Sequence, residues 1–145
     1  MTRWFLLGAL LAGLAVAAGA FAAHGLEGYF VQKYGTQTRT VSGREVLRSE
    51  KYLQDFKTGA EYQMYHGLAL LAVGLLAARR PSAAANVAGW SFLLGIILFS
   101  GSLYALTTTG QSKLGMITPL GGVAFLIGWG ALATAAGKSG DSAGA

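Results

Sequence analysis

His24, Glu61 and His66 stand apart from the other ionisable residues of this chain, because each falls at or inside an apolar stretch. Gln63, Tyr65, Ser100, Ser102, Tyr104 and Thr118 lie in the same kind of surroundings. Imidazole and carboxylate are the groups that move protons or hold cations near neutral pH. Amides, hydroxyls and phenols add directional hydrogen bonds. Such a set is open to two chemistries. One is an interhelical hydrogen-bond network that fixes how helices pack. The other is a polar pocket or half-channel for an ion, a proton or a small polar molecule.

A metal site would have to use His24, Glu61 and His66, and no two of them have the spacing by which one helix presents two ligands. Glu61 and His66 are five residues apart, about 140° around a helix. Gln63 and His66 share a face, as do Glu61 and Tyr65. Glu61 is better placed to meet His24 of the preceding helix. There is no nucleophile elbow, phosphate loop or HExxH motif, so no catalytic residue is assigned. Cysteine is absent, which removes thiolate, disulfide and cysteine–metal chemistry. The sequence implies no cofactor and no metal.

The elements that position these residues follow from where the charges lie. Of 145 residues 53% are hydrophobic and 12% are charged, about half the share of a soluble domain. No Lys, Arg, Asp or Glu occurs in 4–26, 62–78, 81–112 or 114–137. A bilayer core needs roughly 20 apolar helical residues to cross it. A soluble protein of this length would spread its charges along every helix to keep one face wet. The reading is an all-α fold: a four-helix transmembrane bundle in a single domain, 1–145, with helices at about 3–24, 58–78, 86–109 and 118–137. The first apolar stretch exceeds the roughly 7–15 residues of a signal peptide, so it reads as a retained helix. Ala9, Gly13 and Ala17, with Ala12, Ala15, Gly19 and Ala23 beside them, form small-residue stripes that let backbones approach in lipid.

Residues 27–57 form a polar connection. Gly35 to Thr40 reads as a loop. Ser42-Gly-Arg-Glu45 matches a capping box and predicts a helix after it. Val46, Leu53, Phe56 and Ala60 fall near one face; Arg44, Arg48, Lys51 and Asp55 fall on the other. This predicts an amphipathic interfacial helix leading into the second span. Arg79-Arg80-Pro81 ends that span, and Gly110 suits the C-cap of the third. The fourth is either kinked at Pro119 or begins there, with Thr118 as N-cap; the second is preferred. Residues 138–145 are Gly/Ser-rich and read as a disordered tail.

Four spans put both termini on one side. The side with the termini carries Arg3, Arg79, Arg80 and Lys138; the other carries Lys33, Arg39, Arg44, Arg48, Lys51, Lys57 and Lys113. The larger count argues that the second side is cytoplasmic, while Arg3 before and Glu27 after the first helix argue the reverse, so orientation is left open. Every helix brings its polar residues to the side opposite the termini. The net charge of +5 fits anionic headgroups rather than nucleic acid, for which no motif occurs.

Gly19-Ala-Phe-Ala-Ala-His24-Gly25-Leu26, Glu61-Tyr-Gln-Met-Tyr-His66-Gly-Leu-Ala-Leu70, Phe99-Ser-Gly-Ser-Leu-Tyr104 and Leu114-Gly-Met-Ile-Thr-Pro119-Leu-Gly-Gly122 occur in this order. Together they resemble the small membrane-protein family named domain of unknown function 423. The resemblance implies a multi-pass, mostly bacterial inner-membrane protein and brings no activity with it. The expected function is that of a non-enzymatic membrane protein whose partners are the lipid bilayer, itself or another protein. The alternative is a small transporter or channel subunit. Four helices enclose a poor pathway, so that alternative requires a homo-oligomer.

Overall fold

The computed structural model describes residues 3–137. The first helix, α1, is Arg3–His24, and Gly25 separates it from a short α2, Leu26–Tyr34. A hairpin follows, β1 Thr38–Val41 and β2 Arg44–Leu47, antiparallel with Val41 opposite Arg44. Then come α3, Arg48–Arg79, and α4, Ala83–Gly95. A π-helical stretch, Ile96–Gly101, joins α4 to α5, Ser102–Thr109. A 3₁₀ turn, Ser112–Met116, leads into α6, Thr118–Gly137. The fold is helical apart from the hairpin, as the charge distribution predicts. The expected tail, 138–145, lies outside the described residues.

Among the described residues, three helices are long and apolar enough to cross a membrane: Arg3–His24, Ala83–Thr109 and Ser112–Gly137. Their apolar residues point outward as well as inward. Leu10, Leu14, Ile97 and Leu126 are all more than half exposed, the reverse of a water-soluble surface. The second predicted span is part of α3, which runs unbroken through Thr58.

The polar connection differs from its prediction. Ser42 does not cap a helix. Ser42 and Gly43 have φ of 50° and 78°, the left-handed pair that closes a two-residue hairpin. The capping-box pattern was met, but the strand pairing on either side of the turn took these residues. The amphipathic stretch is the first half of α3, starting at Arg48 rather than just after Ser42, and no break separates it from the apolar half. Thr118 does not cap α6 either; its hydroxyl goes to another helix. Pro119 is the second residue of α6, so it starts the helix and does not kink it. Gly110 ends α5 in the left-handed conformation, as expected.

Two antiparallel helix pairs make the body. In the first, α1 lies along α3 with Gly8 against Gly67 and Leu71. In the second, α6 lies along α4 and the π stretch, with Gly121 against Phe99 and Gly128 against Phe92. A side chain has no room at these crossings: a Cβ on Gly121 would sit 2.4 Å from the Phe99 nitrogen. The stripe of α1 that meets α3 includes Gly8, Ala12 and Ala15, while Ala9, Gly13 and Ala17 face outward. The pairs join through a core of Trp4, Leu70, Val73, Phe92, Ile96 and Phe125. A second core at the other end brings Leu26, Phe30 and Tyr34 of α2 onto Tyr52, Phe56 and Leu106.

Gly121→Ala should lower the unfolding free energy in detergent by about 1–3 kcal/mol, the usual cost of overpacking. Gly130→Ala on the same helix meets nothing within 4 Å and should be neutral or slightly stabilising. Thermal melts of the two variants check the contrast.

Candidate functional site

The structure divides the predicted polar cluster into separate clasps. The first centres on Gln63, which α3 turns towards α1 because the glycine crossings bring those backbones together. Its Nε2 donates to the Leu11 carbonyl of α1 at 2.9 Å, and its Oε1 accepts from the Tyr104 hydroxyl of α5 at 3.0 Å. One amide thus ties three helices. The Tyr104 ring packs on Phe56 with centroids 4.6 Å apart.

The second clasp is His66, buried at 4% exposure. Nδ1 lies 2.7 Å from the Tyr62 carbonyl, and Nε2 lies 3.3 Å from the indole N–H of Trp129 on α6. A carbonyl only accepts and an indole N–H only donates. The ring is therefore held with its proton on Nδ1 and its Nε2 lone pair on Trp129. The imidazole stacks on Phe125, centroids 3.4 Å apart and planes 4° from parallel. Tyr62 and Phe92 complete the aromatic surround. Tyr65 stands at its rim, 54% exposed.

The third clasp joins Ser102 to Thr118, hydroxyl to hydroxyl at 2.8 Å. Ser102 donates its one O–H to the Phe99 carbonyl at 3.0 Å, so in that arrangement Thr118 donates to Ser102. Ser100, wholly buried in the π stretch, has no hydrogen-bond partner among the described residues. His24 and Glu61 are exposed, and no hydrogen bond or ion pair joins them. Glu61 instead borders a shallow hollow between α1 and α3 with Lys57 and Gly19. Among the described residues, no group of three His, Cys, Asp or Glu side chains is placed to hold a metal ion.

Sequence reasoning missed two parts of this arrangement. One is the aromatic surround of His66. Its only local signal is Trp129, whose N–H needs a partner once it leaves water. The other is a cap on the end of α5. Tyr34 donates to the Thr107 carbonyl at 2.5 Å, Lys33 to that of Thr108, and Arg48 to that of Gly110 at 2.7 Å. The last carbonyls of a helix lack partners and carry partial negative charge, so cations and hydroxyls suit them. Burial pushes the Tyr34 phenol up from its ordinary value, ahead of the opposing effect of Lys33, which keeps it a donor. Arg48 also lies over the rings of Tyr34 and Tyr52, at 4.9 and 5.0 Å.

Comparison with known proteins adds one family. Residues 18–122 match the family described as Protein of unknown function (DUF423), a span that holds every predicted site residue and stops short of Trp129. The chain is 46% identical over 130 residues to UPF0382 membrane protein YwdK of Bacillus subtilis (strain 168), covering 89% of this chain and 91% of that one. It is 45% identical over 129 residues to UPF0382 membrane protein SERP0230 of Staphylococcus epidermidis, covering 89% and 90%. No solved structure matches.

The Gln63 clasp is open to a double-mutant test. Gln63→Leu and Tyr104→Phe should each cost about 0.6–1.7 kcal/mol, the range for interhelical hydrogen bonds in lipid. Together they should cost less than the sum, because they remove one shared bond. Unfolding of the four proteins in mixed detergent measures the coupling.

Proposed function

The chain belongs to the DUF423 family of membrane proteins, and from that premise we propose that it is a non-enzymatic, multi-pass protein of the bacterial cell membrane, acting through contacts with lipid, with itself or with a partner. In this reading α1, the apolar half of α3, α4 with α5, and α6 form a four-helix bundle. Residues 62–78 are uncharged and long enough to be the fourth span. The charged half of α3, with α2 and the hairpin, lies at the membrane surface.

One observation carries the proposal: the buried polar groups predicted as a site are mostly committed to other helices. Gln63 holds Leu11 and Tyr104, His66 holds Trp129, and Ser102 holds Thr118. A polar group in hydrocarbon needs a partner, and partners on neighbouring helices fix the bundle. These bonds also leave no nucleophile beside a base. Ser102 bonds a hydroxyl and a carbonyl, and the Nε2 lone pair of His66 is taken by the indole N–H of Trp129.

The alternative is a small oligomeric transporter or channel subunit. It draws on Ser100, whose buried hydroxyl lies unpartnered in a π stretch, a distortion that recurs at functional sites. Outward-facing Ala9, Gly13 and Ala17 would then supply a close oligomer contact.

His66→Leu separates the two readings. As a clasp, His66 should contribute about 1–2 kcal/mol through its bond and its stack. Its loss should lower the melting temperature, and vesicles holding either protein should pass potassium ions and protons no faster than empty ones. A flux present in the original protein and abolished in a folded His66→Leu variant would instead establish transport.

A further inference from the structure

One of the clefts that the clasps do not use combines charged and apolar residues. It lies under the hairpin, between α3 and the start of α6, with a volume of about 480 Å³, within the usual range for small-molecule sites. Its lining is divided by chemistry. Arg39 of β1 and Lys51 and Asp55 of α3 are its charged residues; Phe99, Leu103, Leu106 and Pro119 are apolar. We propose that this cleft binds one anionic phospholipid, with the phosphate at Arg39 and Lys51 and the first part of an acyl chain against the apolar residues.

Charge supports that occupant. Lys51 is paired with Asp55, which also lines the cleft. Arg39 is exposed, and its side chain has no hydrogen bond or ion pair among the described residues. The three charges leave one positive charge, matched by the single negative charge of a phosphodiester. Arg39 also borders an adjoining hollow lined by Arg48 and Tyr52, but Arg48 is committed to Tyr52 and the Gly110 carbonyl, so Arg39 supplies the guanidinium. A guanidinium suits phosphate because its donors form a planar fork.

Position supports it as well. Phe99 belongs to a helix long and apolar enough to cross a bilayer, and Pro119 begins another. The hairpin above them carries Arg39, Arg44 and Glu45. The cleft therefore straddles the passage from apolar to polar structure, where a lipid has its own change from chain to headgroup. The proposal rests on the bilayer-spanning reading above and names the lipid class.

The test is native mass spectrometry of the full chain, released from nanodiscs of equal parts phosphatidylcholine and phosphatidylglycerol. One phosphatidylglycerol should be retained in preference to phosphatidylcholine. Arg39→Gln, on an exposed hairpin, should cut that retention about fivefold, the effect of the ~1 kcal/mol a cation contributes at an anionic membrane surface. Lys51→Gln should do at least as much, because it leaves Asp55 facing the phosphate. Arg44→Gln, outside the cleft, should change nothing. Equal retention of both lipids, or retention unaltered in Arg39→Gln and Lys51→Gln, overturns the proposal. Displacement of the lipid by millimolar inorganic phosphate overturns it in favour of a plain anion site, and a bound protein in its place overturns it in favour of a partner surface. Alkaline carbonate extraction of the source membranes is run alongside. Release of the chain there sinks the bilayer-spanning reading itself, whereas a retained chain without lipid preference sinks only this proposal.

Discussion

Close backbone contact between antiparallel helices is the constraint on which everything else depends. Gly8 meets the Gly67 carbonyl, and Gly121 meets the Phe99 backbone. In lipid, apolar burial gives little drive for helices to associate, so van der Waals contact and hydrogen bonds supply it. Contact of that kind grows as backbones near one another. The polar geometry follows from it. Gln63 reaches a carbonyl of α1 only because that backbone is a short side chain away. Phe125 lies flat on His66 because α6 is drawn close to α4 through Gly95, where a Cβ would overlap the Phe125 ring.

The clasps then lock what the contacts allow. Each joins a different set of elements: Gln63 joins α1, α3 and α5; His66 joins α3 to α6; Ser102 joins α5 to α6. Sliding one helix past another by a turn would break at least one of them. The cap on α5 works differently, through the charge of a helix end. Lys33, Tyr34 and Arg48 hold α2 and the start of α3 onto that end. The polar connection is thereby fastened to the apolar body at the point where the third long helix stops.

That fastening explains how a hairpin with an exposed face can sit over a cleft. Arg48 follows β2 directly, and its backbone N–H donates to the Gln37 carbonyl just before β1. Both ends of the hairpin are thus anchored to residues that also grip α5. Arg39 and Val41 are carried to the cleft as a consequence.

The helices and their apolar character were legible in the sequence, because uncharged windows of spanning length are a local property. So was the end of α5, where Gly110 follows the last turn. The polar residues expected in one cluster are divided by the fold into separate clasps, and His24 and Glu61, expected to meet on depth alone, are both left at the surface. What local pattern could not decide was competition. Ser42 satisfies a capping box and a hairpin turn equally well, and only the pairing of Thr38 with Leu47 and Val41 with Arg44 selects the turn. Thr118 could cap its own helix or bond Ser102, sixteen residues away, and the packed pair chose the second. The aromatic surround of His66 and the cap on α5 join residues dozens of positions apart. Uncharged windows of spanning length marked the apolar helices from local pattern alone, whereas the hairpin and the partner each polar atom takes were settled only in the packed fold, because they depend on pairings and distances across elements that no local pattern contains.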